Sequence, residues 1–289
     1  MERDAARVSA FDAGLLHGVG LFETMFAAHG RVFMLDRHMA RLERSARELA
    51  LSERLRVGAL GEAVGLAVER SGLAEGEARA RVRLTITGGD LNLLEREARS
   101  QTDPTIVISV TPATRYPEEM FEKGVGVLVA AAKTNPLNRF EGHKTLSYWW
   151  RLRALQDAAA RRMGEALILQ VTNHVCGGAV SNLFAVRDGT LMTPQARGEE
   201  ERGAMPSPVL PGVTRGVVIE LGERIGVGCA RKLMNIADVL DGEELFLTNA
   251  SWGVLPVVGV EAKPIGDGRP GPITRKLRET WLEEVERVD

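Results

Sequence analysis

The sequence predicts an α+β protein of two domains, and three observations predict it. Its 289 residues are too many for one small core and few for three. Apolar residues alternate with period two in some stretches and recur with helical spacing in others. Proline and charge across 111–123 break the chain between two such series. The expected boundaries are an N-terminal α+β domain at 1–115, a linker at 116–124 and a larger C-terminal domain at 125–289.

In the first domain, Phe22-Glu23-Thr24-Met25-Phe26-Ala27 alternates as a strand, His29-Gly30 supplies a turn, and Arg31-Val32-Phe33-Met34 returns. Asp36 is the expected cap of a helix whose Met39, Leu42, Ala46 and Leu49 share one face. A second helix is expected at 57–68. The runs 81–87 and 105–110 read as strands, separated by a polar loop that begins Gly88-Gly89-Asp90.

The second domain opens with an apolar strand at 125–131, and a helix is expected from about Leu146 to Arg162. Short strands follow at 166–171, 174–177, 182–186 and 190–192. Residues 195–208, with Gly, Pro and three consecutive glutamates, read as an exposed loop. After Leu210-Pro211-Gly212-Val213-Thr214-Arg215 comes a helix bearing Val217, Val218, Leu221 and Ile225. Strands at 244–248 and 257–260 and a terminal helix complete the chain.

Composition narrows the function classes. Hydrophobic residues at 44% and charged residues at 26% are ordinary for a soluble globular protein. A net charge of −2 gives no field to recruit nucleic acid or an anionic membrane. No apolar run reaches the roughly 18–20 residues that span a bilayer, and charged Met1-Glu2-Arg3-Asp4 leads into no signal-type core. Cys176 and Cys229 make no disulfide framework, and neither has metal-type spacing with histidine. A cytoplasmic protein acting on small molecules is expected, without metal, nucleic acid or membrane.

Lys144 is the leading candidate for chemistry. The chain has six lysines against 31 arginines, and this one sits in Glu141-Gly142-His143-Lys144-Thr145, between a strand and a helix. An amine there can lose its proton when desolvated and form a Schiff base, which a guanidinium cannot. Leu210-Pro211-Gly212-Val213-Thr214 joins a loop to a helix N-terminus, whose unpaired N–H groups and dipole suit a phosphate. It also reads as a plain Pro-Gly turn with Thr214 as the helix cap. Arg41 lies beside the apolar stripe of the first helix, where its guanidinium is able to clamp a phosphate; a solvated arginine is equally compatible with its spacing. Arg83 reads as surface charge or a partner for a carboxylate, His17 as a packed histidine, and Trp149 and Trp150 as core residues of their helix.

Taken in order, Phe11-Asp12-Ala13-Gly14, His17-Gly18-Val19-Gly20-Leu21-Phe22-Glu23-Thr24, His38-x-x-Arg41-Leu42-x-x-Ser45, Lys144, Ser181-Asn182-Leu183-Phe184, Leu210 to Arg215 and Phe246-Leu247-Thr248-Asn249 resemble the class IV aminotransferases. These are the fold-type IV pyridoxal-phosphate enzymes: branched-chain and D-amino-acid aminotransferases and 4-amino-4-deoxychorismate lyase. The resemblance implies a smaller N-terminal α/β domain and a larger C-terminal, mixed β-barrel-like, cofactor-binding domain. It also implies a homodimer whose active site lies between the domains and is completed by the neighbouring subunit. Lys144 matches the Schiff-base lysine and general acid–base, Arg41 the phosphate arginine, Val213 and Thr214 the phosphate turn, and Tyr148 an aromatic that hydrogen-bonds the cofactor's phenolic oxygen.

The pattern breaks at Gly177. The family places there, five residues before the Asn of Ser-Asn-Leu-Phe, a glutamate that keeps the pyridine nitrogen protonated. In an extended strand Val175 and Ala179 would share a face with Gly177, with His174 and Cys176 opposite, and nothing between His174 and Asn182 is acidic. A charge-assisted hydrogen bond is worth about 1.5–3 kcal/mol; its loss from the transition state alone would slow the reaction roughly ten- to 150-fold. Gly177→Glu is then expected to raise turnover. Ala250 stands where many aminotransferases place a hydroxyl residue, and Asn249-Ala250 resembles the lyase branch. Val19 replaces a common aspartate, and the 195–208 loop exceeds the short connection expected before the phosphate turn. Three functions follow as expectations: aminotransfer between an amino acid and a 2-oxo acid, pyruvate-releasing lyase chemistry through the same lysine, and a silent cofactor-binding member.

Overall fold

Two sheets organise the chain, each within its own unit of the computed structural model, which describes residues 3–52, 55–76, 78–90 and 104–287. The first unit comprises Met1–Ala113 and His143–Tyr148; the second comprises Thr114–Gly142 and Trp149–Asp289.

The first unit runs α1 (Ala13–His17), β1 (Gly20–Ala28), β2 (Arg31–Val32), α2 (Leu35–Glu48), α3 (Val57–Glu69), β3 (Arg79–Thr87) and β4 (Ile106–Pro112). Its strands form an antiparallel sheet in the order β2-β1-β3-β4. Leu21, Met25 and Ala27 of β1 and Val82, Leu84 and Ile86 of β3 form a core with Met39, Leu42, Leu60 and Val64 of the two helices. Side chains of a strand alternate between faces. Glu23 is therefore turned toward α2 with Leu21 and Met25, while Phe22 and Arg83 share the opposite face.

The second unit runs α4 (Glu119–Glu122), β5 (Val125–Thr134), α5 (Trp149–Ala160), β6 (Glu165–Gln170), β7 (Val175–Gly178), β8 (Asn182–Arg187), β9 (Thr190–Pro194), α6 (Val213–Arg224), β10 (Cys229–Lys232), α7 (Ile236–Leu240), β11 (Glu244–Asn249), β12 (Gly253–Val260), β13 (Lys263–Pro264) and α8 (Pro272–Glu286). Its mixed, curled sheet has the order β10-β9-β8-β11-β12-β5-β6-β7, with β13 beside β12. Leu183, Ala185, Leu245, Leu247, Leu255 and Val257 fill the core on one face. The other face of β8 and β11 carries Asn182, Phe184, Phe246 and Thr248, with the two phenylalanine rings stacked 4.9 Å apart. Helices α6 and α8 pack against β11, and Glu244 accepts the Ile273 and Thr274 N–H groups at the start of α8.

Several expectations need correction. Met34, not Asp36, precedes α2, and Asp36 sits in the first turn. The helix expected from Leu146 begins at Trp149, because the preceding segment is held extended: Phe22 N–H donates to Lys144 C=O and Leu146 N–H to Gly20 C=O. Trp149 is 75% exposed and is not a core residue, and His17 is exposed as well. Residues 195–208 are not simply an exposed loop, since Ala196 and Ser207 are buried. The short elements β10, α7 and β13 escaped expectation because they lack the length for a periodic pattern. Most of the polar loop after Asp90 lies outside the described residues.

Candidate active site

Lys144 is positioned by its neighbours in the first unit. Its carbonyl accepts from Phe22 of β1, and Leu21 and Thr145 form an isolated bridge. His143 bonds through Nδ1 to Ser45 Oγ of α2 at 2.9 Å, with Nε2 3.5 Å from Glu48 Oε2. The Lys144 amine lies 4.5 Å from the centre of the Phe22 ring and 6.0 Å from that of Tyr148, and these two rings meet edge to face. The Arg83 guanidinium also stacks on Phe22, at 3.9 Å, and Nε donates to Thr85 Oγ1. Arg83 is half-buried, so the reading as plain surface charge gives way to a desolvated cation, its pKa lowered mainly by burial.

Behind β1 lies a group the sequence did not disclose. Glu23, 1% exposed, accepts from Arg41 Nε at 2.8 Å and Nη2 at 2.5 Å, and its Oε2 lies 2.8 Å from His38 Nδ1. Burial pushes the Glu23 carboxyl up, but the Arg41 charge and the hydrogen bonds from His38 and Arg41 outweigh it, giving about 2. Burial dominates at His38 and lowers it, against the pull of Glu23. Arg41 is thus oriented by a bidentate carboxylate on its Nε–Nη2 edge. The signal for Glu23 was an acid in phase with the core residues Leu21 and Met25.

In the second unit, Gly212 is the extended residue before α6, which starts at Val213, so Thr214 is the second residue of the helix and not its cap. Asn182 Nδ2 donates to Leu210 C=O at 2.8 Å, and a Cβ on Gly212 would collide with Asn182 Oδ1. Only glycine lets the turn lie this close to β8. Cross-strand from Asn182, Thr248 is buried and its hydroxyl has no hydrogen-bond partner among the described residues. The next turn is tied in as well: Asn249 Nδ2 donates to Val180 C=O, and its Oδ1 accepts from Ser251 and Trp252 N–H. The first-turn N–H groups of α6, the glycine cradle and a buried unpartnered hydroxyl fit a phosphate.

Gly177 offers no carboxylate to a ring nitrogen, and its backbone is built for glycine: φ is +133°, and a Cβ would lie 2.7 Å from Ser181 C=O. The alternation expected across 174–179 fails, because a bulge shifts the register between Ile168–Gly177 and Leu169–Val175. Cys176 and Ala179 consequently share one core cluster while Val175 lies in another. A carboxylate does lie nearby, from the adjacent strand. Glu165, fully buried, accepts from Ala166 N–H at 2.9 Å, Val180 N–H at 3.2 Å and Ser181 Oγ at 3.0 Å. It lies under Gly178, so it braces the β7–β8 turn. Burial raises its pKa over the opposing hydrogen bonds.

Residues 20–260 match the model of the amino-transferase class IV family. The chain belongs to that family, whose members use pyridoxal phosphate, and it has the fold-type IV architecture. More particularly, it is 31% identical to a Methanocaldococcus jannaschii protein provisionally named a branched-chain-amino-acid aminotransferase, over 97% of this chain and 91% of the relative. A solved branched-chain amino acid aminotransferase from Thermoproteus uzoniensis, with norvaline, superimposes with a TM-score of 0.84 at 25% identity, covering 99% and 91% of the two chains. The 4-amino-4-deoxychorismate lyase of Pseudomonas aeruginosa does so with a TM-score of 0.82 at 29% identity, covering 98% and 97%.

Proposed function

We propose that this chain is a pyridoxal-phosphate-dependent aminotransferase moving an amino group between an amino acid and a 2-oxo acid. The observation that carries the reading is Lys144: an amine beside the Phe22 ring, on a segment pinned to β1 by its own carbonyl and to α2 through His143. The bound cofactor supplies an aldehyde and a ring that accepts electrons. Lys144 would hold that aldehyde and would move the substrate α-proton as general acid–base. Val213 and Thr214 would hold the phosphate through N–H groups and a hydroxyl, Arg41 would add its charge, and Tyr148 would hydrogen-bond the phenolic oxygen. Arg83, a cation desolvated against the same ring as Lys144, pairs with a substrate carboxylate. In the same reading the chain acts as a homodimer.

Pyruvate-releasing lyase chemistry is the second reading, favoured by Asn249-Ala250, where no hydroxyl residue stands. The two separate in a half-reaction: aminotransfer converts bound aldehyde to amine, whereas elimination releases pyruvate without a second oxo acid.

The test is hydride reduction of the protein supplied with pyridoxal phosphate, followed by peptide mapping. The label is expected on Lys144, and Lys144→Arg is expected to lose it and at least about a thousandfold in turnover. A label on another lysine overturns the assignment.

A further inference from the structure

The 195–208 segment that precedes the phosphate turn is a strap with a built interior. At its head, Gln195 Nε2 donates to Glu199 C=O at 2.7 Å and Ala196 N–H to Glu199 Oε2 at 2.8 Å. Glu200 accepts from Gly198 N–H and Ser207 N–H, and Ser207 Oγ returns to Gln195 C=O at 2.7 Å. Near its two ends it touches Glu141 and Gly142, the residues that lead into His143 and Lys144. Arg197 Nη1 reaches Glu141 C=O, and the space a Gly142 side chain would need is taken by Ser207 C=O and Arg197 Cδ.

The strap's strongest bond goes to α6. Glu199 takes Arg215 in a two-armed pair, Nη1 to Oε1 at 2.7 Å and Nη2 to Oε2 at 2.8 Å. Arg215 is 3% exposed and also donates to Pro194 C=O and Thr193 Oγ1. It is the third residue of α6, adjoining Thr214. Removing the carboxylate of such a pair leaves a buried charge uncompensated, which is strongly unfavourable. Arg215 belongs to the same helical turn as the Val213 and Thr214 N–H groups.

We propose that Glu199 is a positioning residue for phosphate binding: from the strap it fixes Arg215, and through Arg215 the Val213 and Thr214 donors. This rests on the reading that those donors hold the cofactor's phosphate. Geometry and charge give opposite signs here. As a mere neighbouring anion, Glu199 repels a phosphate, so its removal would tighten binding; as a positioning group, its removal loosens it.

The experiment measures binding of pyridoxal phosphate and of pyridoxal, which lacks the phosphate, to wild type, Glu199→Gln and Glu199→Ala. The phosphate ester is expected to bind about tenfold more weakly to the Ala variant, with Gln between, while pyridoxal binds all three alike. Gln keeps the shape and one acceptor, so it serves where the Ala variant does not fold. Equal or tighter binding of the phosphate ester to the variants overturns the proposal, as does an equal loss for both ligands. A wild type that binds neither ligand overturns the functional reading itself, and this proposal with it.

Discussion

The Lys144 corner of the first unit and the Thr214 turn of the second are built from different materials. Around Lys144 the work falls to side-chain charge: Glu23, Arg41 and His38 behind β1, Arg83 and the amine before it. Around Thr214 it falls to backbone, with a glycine pressed on Asn182, helix N–H groups, and a carboxylate at Glu165 spent on bracing a turn. Charge networks fail when one atom changes its protonation or identity; backbone cradles fail when an atom is added. The contrast predicts which substitutions each region tolerates.

The largest effect is expected at Glu23. Replacing it by Gln leaves Arg41 buried beside a neutral amide, and breaking a buried pair costs about 3–5 kcal/mol. Chemical denaturation should show that loss, and hydrogen exchange should place it in β1 and α2. The acid response follows with its sign. The Glu23 pKa is depressed to about 2, so its stabilisation is present above the ordinary carboxylate value and is lost as pH falls toward 2. His38, lowered by burial, works in the same direction from its ordinary value of 6.5 downward, because only the unfolded chain readily takes the proton. A Glu23→Gln loss under about 1 kcal/mol would mean that the pair gives orientation without stability.

The second prediction sharpens the other side of the comparison. Gly177→Ala puts a Cβ 2.7 Å from a carbonyl at a φ of +133°, which costs about 1–3 kcal/mol. The Glu variant meets the same strain, so Gly177→Glu is expected to lower stability whatever it does to turnover. A Gly177→Ala protein as stable as wild type would show that the turn relaxes freely.

These two cases mark what the sequence made legible. Lys144 stood out by the scarcity of lysine and its place between strand and helix, Arg41 by its place beside the apolar stripe, the Val213-Thr214 turn by its contiguous motif, and the long elements by their strong apolar periods. Glu23 was hidden inside a strand that alternates well by residue type, although the strand is buried on both faces. Glu199 and Arg215 are 16 residues apart, and three consecutive glutamates read as a solvated run until the fold turned one inward. The bulge at β7 puts Ala179 on the side of Cys176 instead of that of Val175, which no local pattern signals. The Arg83 stack depends on pairing of β1 with β3, a tertiary fact.

The smallest effect, and the finest test of the contrast, is a pH slope of opposite sign in the second unit. Glu165 is a carboxyl with a raised pKa and no cation among its hydrogen-bond partners. Its stabilisation is fully present below the ordinary carboxylate value and is lost as pH rises through the folded value. In the first unit acid weakens the charge network; in the second, acid relieves the buried carboxylate. Subtracting the unfolding free energy of Glu165→Gln from that of wild type across pH isolates the slope, because the Gln variant cannot titrate there. The difference should fall as pH rises above the ordinary carboxylate value. A difference that rises instead would mean that the donors at Ala166, Val180 and Ser181 outweigh burial, and that the turn beneath Gly178 is held by a full negative charge.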